Sequence, residues 1–103
     1  MKLNDPQAIK IAKIAYKKQP DSANIADTYG TILVWNNQMD KGLQLLKQSV
    51  KLDPNNKNTQ FHLAKAYYLQ GSIDESLVIL KKITQGKDSF VERTAAVKLV
   101  QQL

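Results

Sequence analysis

His62 is the only histidine in this 103-residue chain, and cysteine is absent. Without cysteine there are no disulfides, no thiolate nucleophile and no sulfur-ligated zinc, although that alone does not fix the compartment. One histidine can neither form a polyhistidine metal centre nor find an obvious nucleophile and acid for a relay, so it is assigned to a helix surface. Asp53, Asn55 and Asn58 superficially suggest a calcium loop. Asn58 and Ala64 occupy the places where such a loop needs glycine and a terminal glutamate, so that reading is rejected. There is no glycine-rich phosphate loop. No catalytic residue, metal or cofactor is expected, and the chemistry left is recognition.

The residues suited to recognition fall in two stripes. Asn24, Asp27, Thr31 and Val34 follow an i, i+3, i+7, i+10 pattern, and Asn58, Phe61, Lys65 and Tyr68 repeat it 34 residues later. Thr28 and Trp35 flank the first stripe; His62 and Leu69 flank the second. Arg93, with Phe90 and Val97, extends the set on a last helix. Phe61 and Tyr68 supply aromatic anchors beside an amide and a cation, a combination suited to an extended or helical peptide. The competing reading is that both rings pack on a neighbouring helix. Trp35, beside a turn at the end of its helix, is assigned to packing.

The elements that carry these stripes can be drawn from breaks and caps. Asp5-Pro6 starts a helix running to about Lys18. Its apolar residues cover an arc of roughly 220°, too wide for a helix buried on one side. After Gln19-Pro20-Asp21, Ser22 caps a helix from Ala23 to about Asn36. Asn37 and Gly71, 34 residues apart, suit the left-handed conformation that ends a helix. Asp40 and Asp74 are expected to cap second helices, Lys41 to Leu52 and Glu75 to Thr84. Asn56 caps a helix from Lys57 to about Gln70. Gly86 ends the fifth helix, and Asp88 or Ser89 opens a sixth.

The 34-residue period extends through the apolar positions. Ala26, Tyr29-Gly30, Leu33, Asp40, Gly42, Leu46 and Pro54 form one copy; Gln60, Leu63-Ala64, Tyr67, Asp74, Ser76 and Leu80 form the next. This series resembles the tetratricopeptide repeat family, a 34-residue helix-turn-helix unit. Ala26 and Gln60 stand for the motif's tryptophan, Gly42 and Ser76 for its alanine, Leu46 and Leu80 for its phenylalanine. The resemblance implies an all-α solenoid of antiparallel hairpins with about six helices. Its parts are the second helix of a truncated repeat (6–19), repeats at 22–54 and 56–86, and a capping helix at 88–103. Counting back from Gly42, Leu46 and Pro54 to Ala8, Ala12 and Pro20 marks the first helix as an orphan, as in a piece of a longer array.

The same resemblance implies a non-catalytic scaffold whose concave groove holds a protein segment. A carboxylate clamp of the chaperone-binding kind is not expected, because Asp27 would repel the ligand and Thr31 and Lys65 replace the clamp asparagines. The ending from Leu80 to Val100, with Phe90-Val-Glu-Arg93, is similar to the C-terminal repeats of bacterial tetratricopeptide lipoproteins of exopolysaccharide and PEP-CTERM sorting systems. That resemblance implies a periplasmic or outer-membrane setting and a lipidated cysteine upstream; without it the expectation is cytoplasmic.

Fifteen basic and nine acidic residues give a net charge of +6. This raises the alternative of an anionic partner, nucleic acid or acidic polysaccharide. The lysines lie in stripes, Lys10, Lys13 and Lys17 on the first helix and Lys41, Lys47, Lys51, Lys81 and Lys82 on the second helices, which reads as a solvated convex face. Self-association through the exposed first helix is the third expectation. At this length the chain buries about 65% of its unfolded surface, enough for one domain. Its longest apolar runs fall well short of the ~20 residues that span a bilayer.

Overall fold

The computed structural model describes residues 6–86 and 89–103. Among them the secondary structure is six helices: α1 (Pro6–Lys18), α2 (Ala23–Trp35), α3 (Met39–Leu52), α4 (Lys57–Gln70), α5 (Ile73–Thr84) and α6 (Arg93–Gln102). Each packs on its neighbours in sequence, and α2 also meets α4, so the helices that open successive hairpins stand side by side. None of these helices is long and apolar enough to cross a membrane.

The breaks have the expected chemistry at the starts of α2 and α4. Ser22 Oγ accepts from the Ile25 N–H, and Asn56 Oδ1 accepts from the N–H groups of Asn58 and Thr59. The turns ending α2 and α4 need left-handed backbone, and Asn37 (φ 65) and Gly71 (φ 92) supply it. Asp40 and Asp74 do not cap. α3 starts at Met39 after Gln38 and α5 at Ile73 after Ser72, neither with a side-chain cap, and the two aspartates sit inside the first turns. There a carboxylate still complements the helix N-terminus. The last helix also starts later than expected: Ser89 and Phe90 precede it, and Glu92 is its N-cap residue. Asp88 lies outside the described residues.

Three apolar clusters follow one another along the stack. Ala8 and Ala12 of α1 meet Tyr29, Ile32 and Leu33 of α2 together with Leu45 of α3. Val34, Leu43 and Leu46 meet Leu63 and Ala66 of α4. Phe61 and Ala64 meet Leu80 and Ile83 of α5 and Ala96 and Leu99 of α6. The hairpin of α2 and α3 closes most tightly at Gly30 and Gly42. A Cβ on Gly42 would stand 2.6 Å from Val34 Cγ2, and one on Gly30 would stand 3.0 Å from the Gly42 carbonyl oxygen. In the following hairpin the matching pair is Ala64 and Ser76, joined by a bond from Ser76 Oγ to the Ala64 carbonyl at 2.8 Å. Ser49 Oγ likewise donates to the Ala23 carbonyl at 2.6 Å, fixing α3 beside the start of α2.

Candidate functional site

Adjacent α2 and α4 bring parts of the two stripes together. Asp27 of α2 reaches His62 of α4: Nδ1 lies 2.8 Å from Oδ1 and 2.9 Å from Oδ2. Thr59 Oγ1 donates to Oδ2 at 3.3 Å, and Thr31 Oγ1 donates to Oδ1 at 3.4 Å. The Asp27 side chain is only 13 % exposed and that of His62 30 %. The hydrogen bond from its ring to Asp27 raises the His62 pKa above its ordinary value of 6.5; burial opposes the rise, the charges of Asp27 and Glu92 add to it, and Lys65 opposes it. With Nδ1 donating to the carboxylate, Nε2 has no partner among the described residues and is an acceptor on the neutral ring and a donor on the imidazolium.

Below this pair opens a cleft of about 230 Å³. Its floor is Val34, Leu46, Phe61 and Ala66, and its rim carries Thr31, His62, Lys65 and Glu92. Trp35 and Leu69, each about half exposed, form an apolar lip. Lys65 Nζ stands 5.4 Å from the Trp35 ring centroid, so the cation is held over the indole face. An apolar floor with a few convergent polar groups is the usual form of a recognition site.

Of the ten residues expected to form the groove, Asp27, Thr31, Val34, Phe61, His62 and Lys65 gather here. The other four do not. Asn24 lines a separate cleft between α1 and α2. Asn58 Oδ1 accepts from the Glu92 N–H at 3.1 Å, pinning the segment before α6. Tyr68 is half-buried against the α4–α5–α6 cluster. Arg93 donates from its guanidinium to the Thr84 carbonyl at 3.3 Å, joining α6 to the end of α5. Phe90 packs on the same cluster, with Lys57 Nζ 6.0 Å from its ring centroid. The Phe90-to-Arg93 ending therefore seats the last helix.

Three further assignments change. Phe61, at 4 % exposure, is a core residue that forms part of the cleft floor and is not a free anchor. Trp35 faces the cleft instead of packing. His62 is half-buried and paired, not a plain surface residue. Glu92 escaped the sequence reading because it belongs to the irregular entry to α6, where the 34-residue period no longer holds. The lysines of the second helices are exposed, two of them set 5.6 Å from ring centroids, Lys41 over Tyr29 and Lys47 over Tyr67. Among the described residues no group of three or more His, Cys, Asp or Glu is placed to hold a metal ion.

Hairpins of this kind, stacked so that their first helices share a wall, define a tetratricopeptide-like helical repeat protein, a class that generally serves as a protein-interaction scaffold. The sequence model of the family described as anaphase-promoting complex, cyclosome, subunit 3 matches residues 1–83, and the chain belongs to that family. A search among curated proteins finds no match.

Proposed function

We propose that the α2–α4 cleft binds a protein segment without chemical change, a large apolar side chain of the ligand entering between Trp35 and Leu69. The observation that carries this reading is the Asp27–His62 bridge, because it locks the two groove helices in register beside an open apolar floor. A ligand backbone carbonyl accepts from Lys65 and, on the protonated ring, from His62 Nε2, while Glu92 at the far rim favours a basic or amide neighbour. An export-system setting rests on the ending from Leu80 to Val100, most of which lies beyond the matched residues.

The test is selection of binders from a random peptide library displayed on phage, followed by affinity measurement against variants of the full chain. Leu69→Lys and Lys65→Glu should each weaken selected peptides at least tenfold, about 1.4 kcal/mol, with Lys47→Glu on the opposite face without effect. Both altered cleft residues keep solvent access, so these variants stay folded. Phe61 is unsuitable as a probe because its truncation would hollow the core at a cost of about 3–5 kcal/mol. Peptides whose binding ignores both cleft variants would refute the assignment.

A further inference from the structure

The bridge to Asp27 decides which nitrogen of His62 can meet a ligand, and in which state. Asp27 accepts from Thr31 of its own helix and Thr59 of α4 as well as from the imidazole, so its carboxylate is held in place from two helices. Nδ1 must carry its proton there, because the other neutral tautomer would turn a nitrogen lone pair on a carboxylate oxygen 2.8 Å away. The neutral ring therefore shows a lone pair at Nε2, and the one place where it can gain a proton is that same atom. His62 lines the α2–α4 cleft beside Thr31, Lys65 and Glu92. The atom that titrates is thus the ring nitrogen left for a ligand. Among the described residues, the charges that act on this ring come from three elements: Asp27 on α2, Lys65 on α4 and Glu92 before α6. From α3 the cleft takes Leu46, which carries no charge. With the ring protonated, two negative and two positive groups cancel; with the ring neutral, the site keeps a net negative charge.

Building on the cleft as the binding site, we propose that His62 is its specificity-determining residue and makes binding respond to pH. Charged, the ring donates from Nε2 to a main-chain carbonyl of the bound segment; neutral, it sets a lone pair against that oxygen and weakens the grip. Two acceptors face to face repel, so the change of state acts against the guest as well as removing a bond. The chemistry of the guest follows. Its carbonyl must be free of internal bonding, as in an extended segment or the last turn of a helix. A carboxylate is the poorer guest, because Glu92 offsets the attraction of Lys65 and the imidazolium. The contacts that hold Nδ1 also favour the charged ring, which moves the response from the usual histidine range towards neutral pH. Protonation and occupancy are reciprocal: a guest that prefers the charged ring raises the ring's affinity for its proton by the same factor.

The probe is a peptide selected from the phage library on the full chain at about pH 5.5, within the histidine range. It is synthesised with blocked ends and without histidine, cysteine, aspartate, glutamate or tryptophan. Trp35, the only tryptophan and part of the cleft lip, reports binding by its emission. Affinity should fall at least about tenfold between pH 5.5 and pH 8.5, the loss of one charge-assisted bond. His62→Gln and His62→Asn, which stay uncharged, should each bind with one affinity at both pH values. The ring resonances of His62, the only histidine, should show its pKa rising by about one unit when the peptide saturates the wild type. Circular dichroism at both pH values checks folding, and should either variant melt, the wild-type ring titration decides. Binding that Leu69→Lys weakens yet is equal at both pH values, with an unmoved ring pKa, overturns the role of His62 and leaves the cleft site standing. A pH profile that survives both His62 substitutions overturns it as well, by assigning the dependence to other groups. If the library yields no peptide sensitive to Leu69→Lys, the cleft site itself falls and this inference with it.

Discussion

Asp27 serves three donors from two helices, His62, Thr59 and Thr31, and so is held more firmly than a surface carboxylate. The imidazole it holds titrates above the usual histidine value. A raised folded pKa means that the stabilisation is fully present below the unfolded value of about 6.5 and is lost as pH rises through the folded value. Urea midpoints of the wild type should accordingly fall as pH rises from about 6 through the folded value, by the equivalent of about 1 kcal/mol, the scale of one hydrogen bond. His62→Gln should flatten that profile, and a profile unchanged by the substitution would show that the bridge does not form in solution. The two members of the pair are visible in the sequence, Asp27 on the first stripe and His62 beside the second, 35 residues apart. Their contact is not, because it depends on how closely α2 and α4 approach. Phe61 and Trp35 exchange their expected roles for a related reason. The period shows which positions recur without showing which side of a helix the next hairpin covers, and α5 with α6 covers the Phe61 side.

At the scale of elements, helix propensity and packing oppose each other at Gly42. Alanine is favoured over glycine inside a helix by about 1 kcal/mol. Yet the added carbon would press on Val34 and on the Gly30 carbonyl oxygen, the latter at 2.9 Å, and backbone cannot move aside as a flexible side chain can. Gly42→Ala should therefore destabilise by roughly 1–3 kcal/mol, seen as a lower thermal midpoint by circular dichroism. A midpoint raised by the substitution would mean that α2 and α3 stand further apart than described. The helix order, the breaks and the caps at Ser22 and Asn56 could be read from residue types, since these side chains act locally on their own backbone. Asp40 and Asp74 misled because an acid in the first turn and an acid at the cap respond to the same dipole, and only backbone dihedrals separate the two. The late start of α6 was hidden by Phe90 and Arg93, whose spacing fits a helix although Phe90 acts from the preceding segment.

The molecule as a whole extends 36 × 24 × 22 Å, with each helix leaning on those next to it in sequence. Its third apolar cluster depends on α6, because Ala96 and Leu99 cover Leu80, Ile83 and Phe61. Ending the chain after Gly86 should uncover parts of these side chains and lower stability by roughly 3–5 kcal/mol, with dye binding to the exposed apolar face. Unchanged urea denaturation of the shortened chain would show that α6 contributes nothing to the stack. The 34-residue period indicates such a terminal helix but not its means of attachment. That attachment is made by Asn58, Lys57 and Arg93 through contacts to Glu92, Phe90 and Thr84.

The bond from the Glu92 amide to Asn58 joins the rim of the α2–α4 cleft to the segment that leads into α6. Glu92 thus belongs both to the clasp on the terminal helix and to the surface a ligand would touch. Occupancy of the hollow and closure of the clasp then share one free-energy cycle. A guest that engages Glu92 only while the clasp is closed would hold the end of the chain shut, and loosening that end would in equal measure weaken the guest's grip.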